Sequence, residues 1–320
     1  MKIISVFNQK GGVGKTTSVV NLAVALTNLS KKVLVIDIDP QANTTSGLGL
    51  DKYNIDNSLY DLFYANEDES DEQIDQVESE DESQIENIEA KENLEDLEST
   101  DSDDVETSQE ELAEENDDLI DSNIDHRQEP IDINEYINHT KSGVYIIPSE
   151  SALSGLEVEL VALDPIERTR QLKELVANIE GYDFILIDCP PSLGLLSINA
   201  LVASDSIIIP VQAEYYALEG ISELMNTFNL VKKQLNTDLE IEGVLLTMFD
   251  KRTYLSYEVV EEVKSYFKDK VFKIMIPRNP RLAEAPSHGL STIEYDVKSP
   301  GAYAYLSLAN EINERESVNE

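Results

Sequence analysis

Residues 3–17 read IISVFNQKGGVGKTT, and this stretch decides the fold. Ile3 to Phe7 is a short, mostly apolar run, which predicts a buried strand. Asn8 to Gly14 is a glycine-rich turn. Beyond it, Val19, Val20, Ala23, Val24 and Leu26 fall on helical spacing, so residues 16–28 are expected to form a helix with one buried face. A glycine turn between a strand and a helix is where a phosphate-binding loop belongs. Its candidate contacts are Lys10, Gly11, Gly12, Val13, Gly14, Lys15, Thr16 and Thr17. Glycines let successive N–H groups turn inward around phosphate oxygens. The helix start adds its positive end. Lys15 is expected at the β- and γ-phosphates, the Thr16 hydroxyl on Mg2+, and Thr17 near the α-phosphate. The cofactors implied are ATP and Mg2+.

Outward from this unit, strands and helices alternate. Residues 33–36 are continuously apolar, the pattern of a parallel sheet covered on both faces. Further buried runs lie at 144–147, 184–187, 206–209, 243–248 and 271–276. Helical patterns at 155–163, 169–179, 219–235 and 257–267 separate them. This alternation predicts an α/β fold of the P-loop NTPase kind, a doubly wound, mostly parallel sheet with helices on both faces. Two acidic signals fall at strand ends. Asp37 and Asp39 are two residues apart and point the same way if the strand persists. Asp188 closes the apolar run 184–187, a Walker B pattern in which a carboxylate holds Mg2+ through water. Ligands in such sheets sit beyond the carboxyl ends of the strands.

Charge divides the chain. Its 320 residues carry a formal net charge of −40. Residues 67–129 hold 29 acidic and 2 basic residues, a net of −27, with no aromatic side chain. High charge with low hydrophobicity predicts disorder. The expected organisation is one discontinuous ATPase domain, 1–66 and 130–320, interrupted by an acidic insertion at 67–129. The bland reading of the insertion is a solvated linker. The sharper one is a tether that mimics DNA and competes for a basic surface. The other 257 residues have a net charge of only −13, so the whole-chain value does not exclude a local basic face. The single cysteine, Cys189, excludes an internal disulfide and a cysteine-based metal cluster. No apolar run approaches the ~18 residues of a membrane span. The opening residues predict a strand rather than a signal peptide.

Lys10 is one lysine more than a phosphate loop needs. With it, the run Lys10–Lys15 resembles the deviant Walker A family, which includes ParA/Soj partition ATPases and MinD. Segments 8–17, 37–48, 188–199, 211–220, 241–250 and 276–289 resemble ParA/Soj chromosome-partition ATPases across nearly all of the 257-residue core. The resemblance implies an ATP-dependent homodimer in which Lys10 reaches the partner's nucleotide. It implies that Asp39 positions the attacking water, Asp37 supports the Mg2+ shell, and Pro277, Asn279 and Pro280 line the adenine side. His288 falls in the same stretch and is read as structural. Hydrolysis is expected to be slow and stimulated by a ParB-like protein. The ATP dimer is expected to bind double-stranded DNA without sequence preference. Lys232, Lys233, Lys251, Arg252, Lys264, Lys268 and Lys270 are the candidate contacts, through phosphate neutralisation. The implied location is cytoplasmic and nucleoid-associated. Two alternatives stand beside this. One is the same engine positioning another cargo. The other is a MinD-like membrane-associated division-site regulator. The tail 302–320 has Arg315 as its one base, so no membrane attachment is expected.

Overall fold

The computed structural model describes residues 1–65, 132–214 and 217–319. The disorder expected for 67–129, and the domain boundaries at 66 and 130, lie outside them. Seven strands form one sheet: β1 (Lys2–Val6), β2 (Val33–Asp37), β3 (Asn138–His139), β4 (Tyr145–Ile147), β5 (Phe184–Asp188), β6 (Ser206–Gln212) and β7 (Glu240–Thr247). Their order is β3-β4-β2-β5-β1-β6-β7. Every pairing is parallel except β3 with β4, an antiparallel edge of two residues. The expected mostly parallel α/β sheet is therefore what the chain forms.

The continuous apolar strands are buried on both faces. Ile4, Val6, Val33, Val35 and Leu186 pack on one side with α1 (Lys15–Thr27) and α11 (Pro300–Asn319), the latter through Tyr305, Leu308 and Ile312. On the other side the Ser5 hydroxyl donates to the Ala200 carbonyl of α6 (Leu195–Ala203) at 3.2 Å. Between β2 and β3 lie the short α2 (Asn43–Gly47) and a helical turn, α3, at 59–65. The remaining helices follow in chain order: α4 (Leu153–Glu159), α5 (Gln171–Ala177), α7 (Ala217–Gln234), α8 (Tyr254–Phe267), α9 (Arg281–Glu284) and α10 (Thr292–Tyr295). Among the described residues no helix is long and apolar enough to cross a membrane.

One expectation fails. Residues 271–276 do not make a strand, only isolated bridges of Val271 to Val244 and Pro277 to Phe249. Phe272 N and Ile276 N do donate to the β7 carbonyls of Val244 and Leu246. Between them, the N–H groups of Lys273 and Ile274 donate instead to the Glu311 carboxylate of α11 at 3.1–3.3 Å. A side chain from a distant helix has taken the donors, and the ladder stops.

Candidate active site

β1 lies between β5 and β6 near the middle of the sheet, so the loop leaving its carboxyl end opens where connections diverge to either side. Gly12 and Gly14 have φ of +73° and +92°, a left-handed backbone that side chains resist. The loop is tied to its neighbours at both ends. Asn8 Nδ2 donates to the Pro210 carbonyl of β6 at 2.7 Å, and Thr247 Oγ1 at the end of β7 donates to the Val13 carbonyl at 2.8 Å. Gln9 Nε2 donates to Thr227 Oγ1 of α7 at 2.8 Å.

Lys15 begins α1 and is buried. Its ammonium donates to the carbonyls of Asn8 (2.9 Å) and Lys10 (3.2 Å), so it lies across the loop that would cradle phosphates. Burial lowers its pKa, and the carboxylates of Asp188 and Asp39 oppose that shift. The Lys10 amide donates to Asn8 Oδ1 at 2.9 Å, while its half-buried side chain makes no hydrogen bond or ion pair to a described residue.

The two strand-end acids are neighbours. The β2–β5 register pairs Asp37 with Asp188, and both are fully buried. Burial is the main force holding each carboxyl above its ordinary range. For Asp37 the charge of Asp188 adds to it, and for Asp188 hydroxyl donors oppose it. Two consecutive threonines of α2 divide the pair between them. Thr45 donates to Asp37 Oδ2 through its N–H (2.8 Å) and its hydroxyl (2.7 Å). Thr44 donates its hydroxyl to Asp188 Oδ2 at 2.6 Å, an oxygen that also accepts from Thr16 at 2.8 Å. Asp188 Oδ1 is buried and has no hydrogen-bond partner among the described residues.

That orphaned acceptor tests the expected metal. A buried carboxylate oxygen without a donor is costly unless something fills it. A hard cation bound partly through water suits a hydroxyl–carboxylate pair such as Thr16 and Asp188. Among the described residues no group of three or more His, Cys, Asp or Glu could hold a metal, so phosphate and water oxygens would complete the shell. Asp37 has both oxygens engaged, the second by the Asp39 amide at 3.3 Å, and so braces the pair. Asp39 follows. Its Oδ1 accepts from the Gln41 amide (3.0 Å), and its carbonyl accepts from the Ser149 hydroxyl (2.6 Å).

The proposed adenine residues gather too. Pro277, Asn279 and Pro280 line a cavity of about 410 Å³ together with Gly14, Thr17 and Tyr305. Tyr305 reaches this cavity from α11. It walls this cavity, with its hydroxyl 3.0 Å from Ser18 Oγ. His288 stacks on Tyr295 at 5.1 Å, which fits a structural part.

The basic candidates are distributed differently. Lys233, Lys251, Arg252, Lys264, Lys268 and Lys270 are exposed. Lys232 is committed to Glu240 (2.8 Å) and the Leu239 carbonyl (2.7 Å), and Arg252 to Asp250 (2.7 Å). Lys264 and Lys268 share a cleft of about 340 Å³ with Phe272 and a lysine outside the sequence-based set, Lys273. Ser149 likewise bonds site residues from outside every segment singled out in the sequence, while Thr44, Thr45 and Thr247 lie inside such segments without having been given a role.

The family described as AAA domain matches residues 1–129 and 97–241. The sporulation initiation inhibitor protein Soj of Bacillus subtilis is 46% identical over 97% of this chain and 98% of its own length. The chromosome partitioning protein ParA of Myxococcus xanthus is 40% identical, over 99% and 89%. Among solved structures, cobyrinic acid a,c-diamide synthase of Mycobacterium smegmatis with bound ADP and magnesium superposes with a TM-score of 0.70 at 25% identity, covering 100% of this chain and 97% of that one.

Proposed function

The chain belongs to the Soj/ParA family of chromosome-partitioning ATPases, and from that premise we propose a nucleotide-driven switch. It binds Mg-ATP, dimerises, holds double-stranded DNA without sequence preference, and lets go on hydrolysis. The observation that carries this reading is the meeting of the glycine loop, Lys15, Thr16, Asp39 and Asp188 at one end of the central strands. On binding, Lys15 exchanges loop carbonyls for phosphate oxygens, and Thr16 with Asp188 would hold Mg2+. When bound, Mg2+ draws charge from the phosphate oxygens. Asp39 accepts a hydrogen bond from the attacking water and orients it. Lys10, with no described partner of its own, supplies a second cation across the dimer. A single chain lacking that cation turns over slowly, and a ParB-like protein raises the rate by completing the arrangement. The exposed bases neutralise DNA phosphates and keep the ATP dimer on the nucleoid.

The test is DNA binding by wild type and Asp39→Ala with ATP, ADP and no nucleotide, across a salt series. Binding should require ATP and weaken steeply with salt. Asp39→Ala should stay on DNA while its turnover falls by about 100-fold or more. Equal affinity in all nucleotide states, or full turnover in the variant, would refute the reading.

A further inference from the structure

We infer that Thr44 is a positioning residue for the metal site, its hydroxyl fixing which oxygen of Asp188 stays free. Its setting is built at a cost. α2 has five residues and starts from Ala42 with φ +52° and ψ +38°, a left-handed conformation that costs a non-glycine residue roughly 1 kcal/mol. That bend turns the chain after Asp39 back over the strand ends. Neighbouring helical positions are about 100° apart around the axis, so Thr44 and Thr45 reach different carboxylates on adjacent strands.

Thr44 is fully buried, and its bond to Asp188 Oδ2 is the shorter of the two that oxygen accepts. The two oxygens of a carboxylate are chemically equal, so one donor alone does not fix its orientation. With Thr16 as sole donor, the carboxylate could rotate and bond through either oxygen. Two donors from different elements, Thr16 on α1 and Thr44 on α2, hold Oδ2 in place and leave Oδ1 unpartnered. The same segment carries Asp39, and Ser149 ties it down through Asp39 O and Thr45 Oγ1 (2.6 and 3.0 Å). Thr44 is therefore the link between the water-positioning segment and the metal-holding strand. Outer partners that orient a ligand change metal affinity about 10- to 100-fold when removed.

This inference rests on the Mg-ATP reading, and the experiment separates the two. Mg2+ is titrated into the full chain with a fluorescent ATP analogue, for wild type, Thr44→Val and Thr44→Ser, with affinity in EDTA measured alongside. Thr44→Val should need about tenfold more Mg2+ for half-maximal tightening. Its loss of affinity in EDTA should be several-fold smaller than its loss with Mg2+, and Thr44→Ser should restore the midpoint. If valine prevents folding, Thr44→Ala is read the same way. An unchanged midpoint, or equal loss with and without Mg2+, overturns the role of Thr44. A wild type indifferent to Mg2+ would instead remove the Mg-ATP reading.

Discussion

The carboxyl end of the central strands and the β7–α8 edge differ in what holds their charged groups. At the strand ends Lys15, Asp37 and Asp188 are buried, and each has fixed partners within 3.2 Å. At the edge the bases are exposed except for the half-buried Lys232, and Lys232, Arg252 and Lys264 are paired with nearby carboxylates. Buried groups act as a unit, so removing one disturbs the rest. Exposed lysines act as a sum, and each contributes little alone.

Three measurements can break this contrast. The largest effect is expected from Lys15→Ala. It should abolish nucleotide binding, a loss of roughly 3 kcal/mol or more for two charge-assisted hydrogen bonds to phosphate. Tight ATP binding by that variant would sink the phosphate-site assignment. Next comes pH. Burial raises the Asp37 pKa to about 8, so its folded form keeps a proton that the unfolded chain has lost. The stability this contributes is fully present below the ordinary carboxylate range and disappears as pH rises through about 8. In EDTA without nucleotide, melting should drop by on the order of 5 °C between pH 5.5 and 8.5. Asp37→Asn should flatten that slope, and an equally steep slope in the variant would assign it elsewhere. The smallest effect is at the edge. Lys264→Ala with Lys268→Ala should lower the salt slope of DNA binding by about 1 to 2 while leaving nucleotide affinity alone. A collapse of DNA binding at all salt concentrations would mean that these lysines act as a built site.

The same contrast explains what could be read in the sequence. Lys10 to Thr17, Asp37, Asp39 and Asp188 were legible because loop glycines and strand-end acids sit in contiguous patterns. Thr44, Thr45 and Ser149 were not, because a hydroxyl in a short segment follows no periodicity until folding shows what it faces. Residues 271–276 have the composition of a strand. What stops them is Glu311, 38 residues from Lys273 in the chain, which takes two backbone donors. The two-residue β3 is too short to register as a pattern, and strand order depends on crossovers that composition does not encode.

The strand order also fixes where the acidic segment is rooted. Leu59 N bonds the Pro148 carbonyl just after β4, and Asn57 bonds the Glu135 carbonyl just before β3. The residues on either side of the segment are thus fastened at the β3–β4 edge, while the exposed lysines follow α7, β7 and α8 at the other edge. Six inter-strand spacings of ~4.8 Å separate the two edges, roughly 29 Å or about three screening lengths at 0.1 M salt. The described residues that flank the acidic segment are therefore tethered at the sheet edge farthest from those lysines, so a substitution at Asn57 or Leu59 leaves the lysine edge untouched.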